Sequence, residues 1–148
     1  MAFGIDFHQK LEYAISNHKR ILLGKSKFEF DNPETEKIVV SSYNELFDLK
    51  GILDCYDKPT LFEFKSGIIS STDYSNSYQI PFYFLICEIL GIEVKSAYLI
   101  HYNQHNKNTD WVKIWNGKQQ IEKAKNYIDS IGPEIYEYFT NNNIPLQK

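Results

Sequence analysis

Apolar positions along the chain change their period several times, and the changes mark out the elements. From about Asp6 to Leu23 the residues Phe7, Leu11, Ala14, Ile15, Ile21 and Leu22 fall mostly at helical spacing, and Gly24 offers a stop. This predicts a first helix. After a polar turn at Asp31-Asn32-Pro33, three segments are strand-like: Lys37 to Ser42, Leu46 to Tyr56 and Thr60 to Lys65. Asp57-Lys58-Pro59 is turn chemistry of hairpin length, so the last two strands are expected to be antiparallel neighbours.

Ser70 to Ser77 is polar and holds several helix-capping residues, and Gln79 to Leu90 then reads as a helix. Pro81 is tolerable only in its first turn, and Gly91 closes it. This helix is hydrophobic nearly all round, the pattern of one buried along a sheet. Val94 to Tyr102 predicts another strand. A polar loop, His101 to Asp110, leads to a short strand near Trp111 to Trp115. Ile121, Ala124, Ile128 and Ile131 mark a final amphipathic helix, which Gly132-Pro133 should break or kink before Glu134 to Phe139.

The expected order is helix, three strands, helix, two strands, helix, an α+β (mixed α/β) arrangement with no repeat and no linker-like shift in composition. A chain of 148 residues with 43% hydrophobic and 24% charged residues can close one core, so residues 1–148 are read as a single domain. No apolar stretch approaches the roughly 20 residues a bilayer requires. The N-terminus lacks the basic and apolar segments of a secretory signal, which suits the cytoplasm, or a host's cytoplasm for a phage or mobile element. Two cysteines, Cys55 and Cys87, are too few for a disulfide framework and lack zinc-like spacing, so both are expected reduced and packed. A net charge of −3 does not advertise nucleic-acid binding, but lysines can concentrate at one cleft while the rest of the surface is acidic.

The chemistry concentrates in Lys50 to Gly67, KGILDCYDKPTLFEFKSG. Side chains two apart on a strand share a face, so Glu63 and Lys65 point together while Phe62 and Phe64 face the other side. Across the hairpin Asp54 can sit beside them. Two carboxylates held close in a partly buried site repel, and a divalent cation keeps both charged; oxygen ligands favour Mg²⁺ or Mn²⁺. A lysine beside them can position or help deprotonate a water and offset negative charge as a phosphodiester is attacked. Glu-x-Lys alone is more often just a solvated strand face.

The flanking residues sharpen this reading. Gly-x-x-Asp, a short hairpin and then apolar-apolar-Glu-Phe-Lys-Ser-Gly resembles the RecB-like branch of the PD-(D/E)XK nuclease superfamily. Gln79-Ile80-Pro81-Phe82-Tyr83, beginning 12 residues after Gly67, is similar to the Gln-x-x-x-Tyr motif that this branch carries on the following helix. Gly4-Ile-Asp-Phe-His8, followed by Leu11-Glu12, is similar to its Gly-x-x-x-His pattern on the first helix.

The resemblance implies a restriction-endonuclease-like core, a central mixed sheet of about four to five strands flanked by helices. It implies metal ligation by His8, Asp54 and Glu63 with the main-chain carbonyl of Phe64, catalytic assistance by Lys65, and support of the site by Gln79 and Tyr83. Glu12 and His18, on the same helix as His8, stand as alternatives for the first ligand. The cluster-bearing members need four cysteines flanking the domain, so no iron–sulfur cluster is expected.

The implied activity is a Mg²⁺- or Mn²⁺-dependent deoxyribonuclease, an exonuclease or structure-selective endonuclease acting on DNA ends or single strands. Any unwinding would fall to a separate helicase or other recombination or repair protein, because no Walker A sequence is present. The alternative is a nucleic-acid-binding or assembly module that keeps the fold with little activity of its own. The intact Asp54, Glu63 and Lys65 argue against it.

Overall fold

The computed structural model describes residues 2–67 and 78–141, with side chains described over 6–67 and 78–133. The elements are α1 (Ala2–His18), β1 (Arg20–Leu23), β2 (Ser26–Glu29), β3 (Glu34–Ser42), β4 (Asp48–Asp57), β5 (Thr60–Ser66), α2 (Gln79–Leu90), β6 (Ser96–Asn103), β7 (Asn108–Trp115) and α3 (Lys118–Asn141). Five strands form one sheet in the order β3-β4-β5-β6-β7, and β1 and β2 make a separate two-stranded ribbon. Neighbours in the large sheet are antiparallel except β5 and β6, which are parallel. A parallel pair needs a crossover, and α2 lies in that connection. The expected mixed α+β fold with a central mixed sheet is the one observed.

Alternation along the strands sends side chains to two cores. Toward α1 lie Cys55, Phe62, Phe64 and Ile100, packed with Phe7, Leu11 and Ile15 of that helix. Toward α2 lie Val39, Leu53, Leu61 and Ala97, covered by Ile80, Phe84 and Leu85 and then by Ala124 and Ile128 of α3. The helix that read as hydrophobic all round is therefore enclosed between the sheet and α3. Pro81 sits in its first turn, and Gly91 caps it with φ 73°. The capping candidates Ser70 to Ser77 lie outside the described residues, and the position before the helix is Tyr78.

Three expectations need correction. The first helix ends at His18, five residues before Leu23. Arg20–Leu23 is a strand in which Ile21 and Leu23 are buried and Leu22 is 70% exposed, a period of two that a helical reading of Ile21-Leu22 cannot accommodate. Gly24, with φ 60°, turns β1 into β2, and a Cβ there would lie 2.5 Å from the Lys107 carbonyl oxygen, so the ribbon packs hard against the β6–β7 turn. Second, His101 to Asp110 is not one loop: β6 runs to Asn103 and β7 starts at Asn108. The Asn103 side-chain oxygen accepts the His105 N–H at 2.9 Å and so tightens the turn between them. Third, Gly132-Pro133 does not break α3. The helix runs through both, and Gly132 lets the ring of Phe47 approach to where a Cβ would stand 2.7 Å from it.

No described helix is long and apolar enough to cross a membrane. Cys55 and Cys87 are free and fully buried, and burial lifts their thiols to about 12 and about 11, which suppresses thiolate chemistry.

Candidate active site

The site begins where two strands part. β4 and β5 pair through Asp57–Thr60, Tyr56–Leu61 and Cys55–Phe62, and their ladder stops there. Beyond it β4 stays with β3 and β5 stays with β6. The next opposed residues are Asp54 and Glu63, and their carboxylates take over the missing hydrogen bonds. Asp54 Oδ2 accepts the Phe64 N–H at 2.8 Å, and Glu63 Oε1 accepts the Asp54 N–H at 3.2 Å. Each acid thus fixes the other's strand. The turn of the hairpin is fastened independently, since the Asp57 carboxylate accepts the N–H groups of Asp31 and Asn32, both at 2.9 Å.

Glu63 is 1% exposed. Burial, then the Asp54 charge and a hydrogen bond with the Asp54 carboxyl, raise its carboxyl well above the ordinary value, while the Asp54 N–H and then Lys65 pull in the opposite direction. The two carboxyl groups are therefore in contact, and added positive charge beside them would offset the cost of ionising Glu63. Asp54 is less buried, its side chain 19% exposed. Lys65 is half-buried and shares a face with Glu63, as strand alternation requires.

Tyr83 and Gln79 brace the divergence. Gln79 Nε2 donates to Tyr83 Oη at 3.2 Å, and Tyr83 Oη donates to the Ile52 carbonyl at 3.2 Å, in the stretch of β4 that has left β5. Burial and the Glu63 charge push the phenol up to about 12, so it stays a hydrogen-bond donor. Its ring lies on Gly51, where a Cβ would stand 2.8 Å from Tyr83 Cε1. This explains the glycine three residues before Asp54. Gly51→Ala should destabilise the chain by about 1–3 kcal/mol, the cost of overpacking a closed site, as measured by urea denaturation.

From α1, His8 Nδ1 reaches 4.0 Å from Asp54 Oδ2. Glu12, one turn on, is half-buried. His18 is ten residues beyond His8, about 15 Å along the helix, where it meets the Tyr13 ring instead. Phe64, expected to offer its carbonyl, is tied to Asp54 through its N–H, and its ring is buried in the α1-side core.

Two residues escaped the sequence reading. Glu36 on β3 lies opposite Asp54, bracketed by the pairs Thr35–Cys55 and Lys37–Leu53, and has φ 50°, unusual for a non-glycine residue in a strand. Partial burial, then the charges of Asp54 and Glu12, raise its carboxyl, and His8 lowers it. A signal existed in its place across from Asp54, but only once the strand register is known. The other is His101, which pairs with Lys65 across β5 and β6 and is 3% exposed. Its Nδ1 is 3.0 Å from Asp110 Oδ1 and its Nε2 2.8 Å from the Gly67 carbonyl, so it fastens the chain just after Lys65.

Among the described residues, no three His, Cys, Asp or Glu side chains are drawn together closely enough to enclose an ion as they stand. The donor set nevertheless fits a hard divalent cation. It offers carboxylate oxygens in contact, one of them buried where its charge goes uncompensated, with an imidazole at the edge.

No protein-family model matches the sequence, and no curated protein does. Solved structures do share the fold. The crystal structure of SSO0001 is 14% identical with a TM-score of 0.57, over 87% of this chain and 58% of that one, so the chain spans little more than half the length of that protein. The alkaline exonuclease LHK-Exo from Laribacter hongkongensis, in its complex with dAMP, is 12% identical with a TM-score of 0.54, over 97% of this chain and 73% of that one. The mixed five-stranded fold of this chain is thus one that an alkaline exonuclease also has.

Proposed function

We propose that the chain is a metal-dependent DNA nuclease of the PD-(D/E)XK type, RecB-like branch, acting on DNA ends or single strands. The observation that carries this reading is the parting of β4 and β5 at Asp54 and Glu63, which leaves two touching carboxyl groups beside a lysine. Asp54 and Glu63 would hold Mg²⁺ or Mn²⁺, with His8 as the third side chain and the Phe64 carbonyl as a main-chain donor. The bound ion would polarise the phosphodiester and lower the pKa of a water. Lys65, on the same strand face as Glu63, would orient that water and offset the negative charge that grows on the phosphate. Tyr83 and Gln79 keep β4 at its distance from β5, and so keep the two acids in place. The fold shared with an exonuclease supports the same reading.

The test is to incubate the purified chain with linear duplex, closed circular and single-stranded DNA in Mg²⁺, in Mn²⁺ and in EDTA. Cleavage of linear or single-stranded DNA that EDTA abolishes is expected. Cleavage undiminished by EDTA, or none on any substrate, overturns the proposal.

A further inference from the structure

The chain has two tryptophans, Trp111 and Trp115, and both stand out on the sheet's last strand, 52% and 64% exposed. Trp111, Lys113 and Trp115 alternate along β7 and share one face. That face is the α1 side, because Trp111 pairs with Ile100 and Lys113 with Tyr98, both packed in or against the α1-side core. Neither α1 nor the β1–β2 ribbon covers them. The Lys113 ammonium lies 3.9 Å from the Trp115 ring centroid and 5.4 Å from that of Tyr98, and Trp111 meets Tyr98 edge-on at 5.5 Å. Between this strand and the ribbon runs a groove of about 470 Å³ lined by Phe28, Phe62, Tyr98 and Trp111, with Lys27 ion-paired to Glu29 at 2.9 Å on its ribbon side.

We infer that this stripe binds single-stranded nucleic acid, its tryptophan rings stacking on unpaired bases and Lys113 meeting the phosphate between them. Four residue steps along the strand separate the tryptophans by about 13 Å, enough for each to take its own base. A nucleic-acid strand supplies in one repeat what the stripe displays, flat bases for the rings and a phosphate for the ammonium group. Pairing of β7 with the edge of a second copy is opposed by Asp110 and Lys113 within the strand. In register Trp111 stands level with Phe64, two strand spacings or about 10 Å away across β6, on the face of the sheet opposite to Glu63 and Lys65. The inference deepens the nuclease reading and rests on it for the identity of the ligand as substrate.

The tryptophans are their own reporters. In EDTA, where no cutting is expected, addition of a 20-nucleotide oligo(dT) to the full chain should quench tryptophan fluorescence saturably, and a blunt duplex of equal length should quench far less. Trp111→Ala and Trp115→Ala, each checked for folding by circular dichroism, should each weaken binding about tenfold by fluorescence anisotropy of labelled oligo(dT). Lys113→Ala should reduce the slope of log affinity against log salt by about 0.7. Absence of quenching, equal quenching by duplex, or a tryptophan signal that changes with protein concentration alone as a dimer forms overturns the inference. Cleavage in Mn²⁺ measured in parallel separates the two ideas: cutting without quenching sinks only this one, and quenching without cutting sinks only the nuclease reading.

Discussion

Lys65→Ala should lower metal-dependent DNA cleavage by about 10²–10⁴-fold, the range for removing a positioned proton-transfer group, while leaving the fold intact. On the proposed reading the variant would lose more than a contact with the reacting groups. The Asp54 N–H and then Lys65 pull the Glu63 carboxyl down against burial and the Asp54 carboxylate. Without the lysine, Glu63 releases its proton only at higher pH, and a carboxylate must be ionised to hold a cation. The residual activity of Lys65→Ala should therefore rise with pH over a range displaced upward from that of the native chain. Single-turnover cleavage rates across pH, at saturating Mn²⁺, would reveal this. An unshifted profile at unchanged rate would remove Lys65 from the site.

Glu63→Gln should abolish cleavage and, in EDTA near pH 8, make the chain more stable. Glutamine keeps an oxygen for the Asp54 N–H and offers an amide donor to the Asp54 carboxylate, with no charge to bury. The sign follows from proton counting. Below roughly pH 4.5, the ordinary glutamate value, Glu63 is protonated whether the chain is folded or not, and burial carries no charge penalty. Between that value and its raised folded value, the folded chain keeps a proton that the unfolded chain has released. Stability then falls as pH rises, by up to about 1.4 kcal/mol per pH unit, and the loss is complete above the folded value. Glu63→Gln removes this slope. Thermal melts from pH 4 to 9 in EDTA should show native and variant curves separating as pH rises, by on the order of several degrees. Added Mn²⁺ should narrow the gap by stabilising only the native chain. A site that gains stability when a buried acid is neutralised is one built for binding charge and not for folding.

Much of this arrangement could be read from local sequence because it depends on local rules. Strand alternation places Glu63 and Lys65 together and sends Phe62 and Phe64 to the α1-side core. The two-residue turn at Lys58-Pro59 brings Asp54 opposite them, and the spacing of Gln79 and Tyr83 sets both on one helix face. What could not be read depends on register and tertiary packing. Glu36 reaches Asp54 only because β3 aligns with β4 in one particular register, and nothing near Glu36 announces that alignment. His101 lies at the end of an apolar strand where its polar neighbours resemble a loop, and only Asp110 and the Gly67 carbonyl make it a buried residue. The β1–β2 ribbon was hidden because Ile21 and Leu22 continue a helical spacing for one more turn. Gly132 looked like a stop but provides room for Phe47.

The central claim, that Asp54 and Glu63 form a divalent-cation site, is tested most directly by titrating the metal-free chain with Mn²⁺ and following free ion by electron paramagnetic resonance. At pH 8 the native chain should bind Mn²⁺ saturably, Asp54→Asn should bind at least tenfold more weakly, and binding by the native chain should weaken as the pH is lowered and the raised Glu63 carboxyl takes up a proton. Affinity that is unchanged in Asp54→Asn and indifferent to pH, or no binding at all, would contradict the account.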